Sequence, residues 1–485
     1  MKNNKTISLK INAALSATKT LLSAIIPLIV FPYVTRIIGA VNYGKINFVA
    51  SIVTYFTMIA GLGITTYAVR EGAAYRNNRV QCSKFSSQIF TINIISTLVS
   101  LMLFILTVLC WKKLQDYGIL VLVQSLGIIS TTISVEWIYT IYEDYIYITK
   151  RYVIIQAISI ILVFVLVREQ NDYVLYSTIT VGSNFIANLF NLIHSRKYVD
   201  IKLLKKTDAA RHLKSILIMF CNEISVQIYV NSDITMLGIL NSDYSVGIYS
   251  VATKIYAIIK RIVNTVLTVT IPRLANYYGC ERIKAYDELQ KKIARALLVI
   301  TIPIIVGLFS LSNEIVEIIS GPAYTDAAIP LKILSVSLAF SVCATFAGNL
   351  LLIEKKESKV LMSTSVAAAI NIALNLIMIP KFGASAAALT TAISEFFVMA
   401  VNIVNSRLGK RFNNIDRNFI VEIFLITILT YIACISARKL FANAIVVVLL
   451  AVIITGIMTL AVFVFFKEPL LNETLQSLKK KLAKG

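Results

Sequence analysis

About fourteen stretches of this 485-residue chain stay apolar for roughly 20 residues each, and that recurrence limits the fold more than any motif does. They lie near 14–35, 45–66, 86–110, 117–140, 152–167, 173–194, 215–240, 246–271, 293–312, 327–353, 360–380, 384–406, 418–437 and 443–466. Within hydrocarbon, only a helix or a closed barrel satisfies every backbone N–H and C=O. The stretches are continuous rather than alternating, so they predict an all-α integral membrane protein of about fourteen transmembrane helices. The fifth stretch is short and the fourth fades into tyrosines, which leaves twelve or thirteen spans open. With 57% hydrophobic and 15% charged residues, the composition departs from a soluble domain in the direction lipid demands.

The net charge of +22 would suggest nucleic acid in a soluble chain. Here its distribution speaks against a nucleic-acid partner. With both termini cytoplasmic, the inner segments hold about 33 Lys and Arg and the outer loops about 8, as the positive-inside rule requires. The longest loop, 195–214, carries Arg196, Lys197, Lys202, Lys205, Lys206, Arg211 and Lys214, whereas the outer loops near Asp243 and at 313–326 carry none. Near-ties occur at 111–116 and 141–151. The basic tail LKKKLAKG reads as a solvated or lipid-touching cytoplasmic end. The first apolar stretch runs straight into FPYVTRIIG without a small-residue cleavage site, so a cleaved leader is not expected.

Loop 195–214 divides the chain. The expected organisation is a first lobe at 1–194, the basic loop, a second lobe at 215–407, and a final helix pair with tail at 408–485. Six spans per lobe is an even number, so the lobes would be parallel repeats about an axis along the membrane normal. VNYGKINFVAS (41–51) and YSVGIYSVATK (244–254) stand at matching positions in the halves.

The six cysteines are scattered and the two histidines, His194 and His212, lie at or beyond a span end. Neither a disulfide framework, a metal site nor a Ser-His-Asp triad is expected, and no cofactor is implied. Chemistry is instead expected from polar groups inside the spans, where a charge costs about 2.5–3.5 kcal/mol on insertion scales and usually faces a bundle interior or wet cavity. Lys19, Arg36, Glu136, Glu223, Asp233, Lys254, Lys260, Arg261, Lys332 and Glu395 are such groups. Lys254 and Arg261, seven apart, share a helix face and are candidates to line a lumen. Glu223, Gln227 and Asn231 form a polar stripe, as do Asn184, Asn188 and Asn191, and Asn371 with Asn375. Such amides serve either as lumen lining or as glue between helices. Glu223, Asp233 and Glu395 are candidates for charge pairing or for uptake of a proton or sodium. A cationic lumen suits an anionic substrate such as phosphate. The tyrosine-dense EWIYTIYEDYIYITKRY (136–152) reads as an interfacial aromatic belt.

Several segments together resemble the Wzx-type polysaccharide repeat-unit flippases, of the superfamily that includes drug/ion antiporters and lipid II flippases. These are RIIGAVNYGKINFVASI (36–52), GLGITTYAVRE (61–71), the Glu-Trp stretch at 136, SDITMLGILNSDYSVGIYSVATKI (232–255), TVTIPRLANYY (268–278) and NIALNLIMIPKFGASAAALTTAISE (371–395). They run the whole chain in order. Ala386 departs from a glycine frequent in the family. The resemblance implies two six-helix lobes in a V plus two C-terminal helices, set in the bacterial inner membrane. It implies a substrate of oligosaccharide on undecaprenyl pyrophosphate, moved to the outer leaflet by alternating access for O-antigen or another surface polysaccharide. Membrane lipid, and polymerase or chain-length proteins of the same pathway, are the partners it implies. Lys19, Lys254 and Arg261 are then candidates for the pyrophosphate. Two alternatives stay open: an ion-coupled exporter of another substrate, and a polytopic glycan polymerase. A polymerase fits less well because every outer loop is short.

Overall fold

The structure is a computed structural model that describes residues 9–204, 209–408 and 417–466, with side chains from Ile29 onward except at a few positions of the helices at 209–240, 243–279 and 417–440. Sixteen α-helices make up nearly all of it: α1 (Leu9–Gly61), α2 (Ile64–Gly72), α3 (Arg79–Cys110), α4 (Lys112–Asp116), α5 (Ile119–Ile133), α6 (Glu136–Tyr142), α7 (Tyr145–Leu166), α8 (Tyr173–His194), α9 (Ala209–Leu240), α10 (Asp243–Gly279), α11 (Ile283–Ser310), α12 (Ser312–Ser320), α13 (Ala328–Ile353), α14 (Glu357–Asn405), α15 (Arg417–Leu440) and α16 (Ala444–Phe465). Among the described residues there is no strand.

Two of these helical runs are folded hairpins. A straight 53-residue helix would extend about 80 Å, far beyond a bilayer. α1 breaks at Gly39 (φ 72°), and the rings of Phe31 and Tyr43 on either side face each other with centroids 5.9 Å apart. α14, 49 residues long, breaks at Gly383 (φ 53°) just after Pro380. Its legs lie side by side, since Thr390 Oγ1 donates to Asn375 Oδ1 at 2.5 Å and Ser363 Oγ to Asn402 Oδ1 at 2.7 Å. Among the described residues ten helical runs are long and apolar enough to cross a membrane. The two hairpins add a leg each, and the more polar α8 and α9 match the sixth and seventh expected stretches, so every expected stretch has its helix.

Two local expectations change. The fourth stretch is two helices, α5 and α6, separated where Val135 turns left-handed (φ 36°). The fifth is not short: α7 has 22 residues and begins at Tyr145, because Lys150 and Arg151 hid its first two turns from a search for apolar runs.

The chain resolves into two compact units, Met1–Gly238 and Ile239–Gly485. In the first, α1 packs on α3, α5 and α7, and α5 on α8. In the second, α13 packs on α10, α11 and α14, while α15 and α16 pair. The units divide one helix beyond the basic loop, at Gly238. Apolar side chains face outward as well as inward: Leu449, Val452, Leu460 and Val464 of α16 are all exposed, as lipid contact allows and water does not. Small residues are buried between helices, Ala386, Ala387 and Ala388 among them, each almost wholly buried.

The described start of the basic loop lies along α3. The backbone N–H groups of Asp200, Lys202 and Leu204 donate to Ser83 Oγ (3.0 Å), Ser87 Oγ (3.0 Å) and Thr91 Oγ1 (3.2 Å). Two extended residues advance about 6.6 Å and four helical ones about 6 Å, so the repeats match. Lys205 and Lys206, like the LKKKLAKG tail, lie outside the described residues.

Candidate functional site

In the second unit, α10 carries Lys254, Lys260 and Arg261. Lys260 Nζ donates to Glu395 Oε1 at 3.1 Å, and Ser341 Oγ donates to the same oxygen at 3.0 Å. Glu395 is buried on α14 and forms an ion pair with Lys260. Lys254 is half-buried and Arg261 exposed on α10. A second pair, unforeseen from sequence, joins Arg295 of α11 to the fully buried Glu422 of α15 at 2.8 Å, with the guanidinium over Phe419. Their separation of 127 residues left no spacing signal.

The amide stripes make contacts between helices. Asn375 Nδ2 donates to Asn371 Oδ1 at 3.1 Å, and both residues are buried within the α14 hairpin. In the first unit, Asn188 Nδ2 donates to Ser130 Oγ at 2.8 Å and Asn191 Nδ2 to Ser134 O at 2.9 Å. Both cap the C-terminal end of α5, whose last carbonyls the break at Val135 frees. Asn184 is exposed and bonds its own helix at Thr180 O. Asp233 is buried on α9, and two residues on, Thr235 Oγ1 donates to Ser51 Oγ (3.0 Å) and shares a hydrogen bond with Tyr55 Oη (3.2 Å). Glu223 and Gln227 line a small polar cavity together with threonines of α1, α2 and α5. Lys19 lies on α1, but its side chain is outside the described residues.

Several tyrosines of the tyrosine-dense segment make contacts within the protein. Tyr139 is fully buried and donates to Asn191 O at 2.5 Å, Tyr147 stacks on His194 at 3.8 Å, and Tyr142 stacks on Tyr198 at 4.6 Å. Tyr198 Oη donates to Asp144 Oδ2 at 2.5 Å, and burial, then the Asp144 carboxylate, pushes its phenol above the usual range. His212, buried at the start of α9, shares hydrogen bonds with Tyr67 of α2 (2.7 Å) and Gln88 of α3 (3.1 Å). Both histidines therefore knit helix ends together.

A groove of about 580 Å³ runs between α10 and α11 on one side and α15 and α16 on the other. Ile259, Pro303, Leu308, Val448, Val452 and Phe463 are among its walls, which are nearly all apolar. Ile259 projects from the side of α10 roughly opposite Lys254 and Arg261. One helix thus borders an apolar groove and carries two cations on its other face.

Comparison with known proteins agrees with this architecture. A family model described as MatE matches residues 216–377. A protein of Escherichia coli K12 named as an O-antigen transporter is 20% identical over 417 residues, covering 84% of this chain and 99% of its own. The low-salt glycan biosynthesis flippase Agl15 of Haloferax volcanii is 25% identical over 172 residues, 36% of each chain. The fold is that of the lipid II flippase MurJ in its inward closed conformation, with a TM-score of 0.75 at 15% identity over 93% of this chain and 98% of that one. The model described as polysaccharide biosynthesis protein matches residues 9–278, more than half the chain, which bears out the resemblance seen in the sequence: this chain belongs to the polysaccharide biosynthesis protein family.

Proposed function

We propose that this protein is a flippase that moves an oligosaccharide repeat unit, carried on undecaprenyl pyrophosphate, from the cytoplasmic to the outer leaflet of the bacterial inner membrane. The observation that carries this reading is the relative named as an O-antigen transporter, matched along nearly its whole length by a chain of the same family. The physical features support it. Lys254 and Arg261 supply positive charge on one face of α10 for a pyrophosphate. The apolar groove between α10, α11, α15 and α16 is suited in character to part of an isoprenoid tail. The lobes 1–194 and 215–407 would rock about the site in alternating access, with both termini on the cytoplasmic side. Such a protein moves its substrate without making or breaking a bond in it, so no catalytic group is assigned. The polymerase and chain-length proteins of the same pathway would take the product.

The test is the sidedness of lipid-linked glycan in a deletion strain, read with an impermeant probe. Complete repeat units held at the cytoplasmic face are expected. Unpolymerised units reaching the outer face would place the protein after the flip. In the complemented strain, Lys254→Ala/Arg261→Ala is expected to lower export at least ~10-fold at unchanged membrane abundance. Full export by that variant would remove both residues from the anion site. The MatE match favours a second reading, an ion-coupled exporter of a different substrate. Unchanged glycan lipids together with an altered drug-susceptibility profile would select it.

A further inference from the structure

Lys332 lies about one turn into α13, at the edge of an apolar cleft of about 410 Å³. The walls are Phe309 of α11, Val336 and Phe340 of α13, and Leu389, Ile393 and Phe396 on the second leg of α14. Among the lining side chains, Lys332 alone carries a polar group. The cleft is open: Phe309, Val336, Leu389, Ile393 and Phe396 each keep 39–50% of their surface exposed. In a bilayer, apolar surface of this kind is covered by alkyl chains.

The two ends of the cleft differ in chemistry. Ser341 Oγ donates to Glu395 Oε1 at 3.0 Å and Asn402 Nδ2 to Ala344 O at 3.2 Å, so α13 and the second leg of α14 run in the same direction, level at these residues. Stepping back equally along both helices from Ser341 and Glu395 sets Lys332 level with Ala386, just inside the hairpin turn at Gly383. Phe340 and Phe396, packed edge to face with centroids 5.3 Å apart, lie about two to three turns deeper. The cleft thus has a cation near the helix ends and an aromatic floor toward the bilayer interior. Among the described residues no carboxylate or carbonyl engages the Lys332 ammonium. A lone charge within a span is costly, and the four-carbon stem lets this one reach headgroup level. An anion on an alkyl chain answers both ends: its phosphate meets the ammonium and its chain covers the walls. The walls offer no polar group to hold a sugar, and one ammonium balances one phosphodiester. A zwitterionic headgroup carries its own cation and gains less from Lys332.

We propose that this cleft holds an anionic phospholipid, its phosphate at Lys332 and one acyl chain laid along Val336 and Ile393 to the Phe340–Phe396 pair. With both termini cytoplasmic, as in the proposed orientation, the lipid belongs to the outer leaflet. The reverse orientation would move it to the inner leaflet and leave its chemistry unchanged. The walls come from α11, α13 and α14, whereas Lys254 and Arg261 stand on α10, so the resident lipid does not depend on which substrate is carried.

The experiment places the full-length protein in phosphatidylcholine nanodiscs with a trace of phosphatidylglycerol that bears a diazirine near the end of one acyl chain. After irradiation the labelled peptides are mapped, and label on other lipid-facing helices measures ordinary lipid contact. Enriched label is expected on the segments that hold Phe340 and Phe396, displaced by unlabelled phosphatidylglycerol. Lys332→Gln should weaken it about 5-fold, the loss expected of one basic residue facing anionic lipid, and Lys332→Arg should retain it. Val336→Trp, which fills the cleft from an exposed position, should abolish it at unchanged elution on size exclusion. A phosphatidylcholine probe with the same diazirine should show no enrichment at these segments. Three results would overturn the proposal: enrichment that survives both Lys332→Gln and Val336→Trp, equal enrichment by the phosphatidylcholine probe, or displacement by undecaprenyl phosphate at lower concentration than by phosphatidylglycerol, which would make the occupant an isoprenoid carrier.

Discussion

At the residue scale, several of the intramembrane polar groups hold the protein together. Glu395 is buried and meets both Lys260 and Ser341. Removing one partner of such a pair leaves the other charge uncompensated, at about 3–5 kcal/mol, whereas replacing both costs far less. Lys260→Met should therefore lower the unfolding temperature in detergent markedly, and Lys260→Met/Glu395→Leu should recover most of it. A double variant no better than the single would show that the pair is not coupled. Asn375→Ala should be milder, about 0.6–2 kcal/mol, since it breaks bonds between two legs of one hairpin. The sequence identified these residues because charges and amides stand out against apolar spans. It could not sort glue from lining, because a stripe at i, i+4 looks the same whichever neighbour it faces. Ser130 and Ser134, the partners of Asn188 and Asn191, lie 57–58 residues away.

At the scale of elements, the two hairpin turns depend on glycine. Gly383 sits at φ 53°, ψ −130°, a region open essentially to glycine alone. Its Cβ would also stand 3.3 Å from Ser245 Oγ. Gly383→Ala is expected to cost about 1–3 kcal/mol and to reduce the folded fraction recovered from membranes, as fluorescence-detected size exclusion would show. Wild-type recovery would mean the turn can relax into another conformation. The glycine and Pro380 were visible in the sequence as a break between two apolar stretches. The break at Ser134–Val135 was not, because no glycine or proline marks it and only packing holds Val135 in a left-handed turn. The contacts of the tyrosine cluster were not visible for a related reason. Tyrosine is favoured at the lipid interface and in buried contacts alike, and the stacking of Tyr147 on His194 shows only in the tertiary structure.

At the scale of the whole molecule, topology offers a direct check. Cys110 at the end of α3 and Cys280 just after α10 are both exposed thiols. With the termini inside, an impermeant maleimide applied to intact spheroplasts should label a Cys110-only variant and spare a Cys280-only variant until the cells are opened. The reverse pattern would invert the orientation. Within the first unit, Gly238 of α9 abuts Phe48, whose ring atom would lie 1.9 Å from an added Cβ. Gly238→Val should therefore overpack a buried aromatic contact by about 1–3 kcal/mol and lower membrane abundance. The sequence by itself determined the all-α membrane fold, the approximate number and the order of the crossings, and the family. The fold and the crossings follow from lipid excluding unpaired backbone groups and charge, a condition every span must meet locally, and the family from the order of the motif segments. The tertiary structure alone decided which charges are paired and that Glu223 lines a cavity with four threonines. Those outcomes depend on contacts between residues far apart in the chain, and hydropathy carries no information about which distant side chain lies across a helix interface.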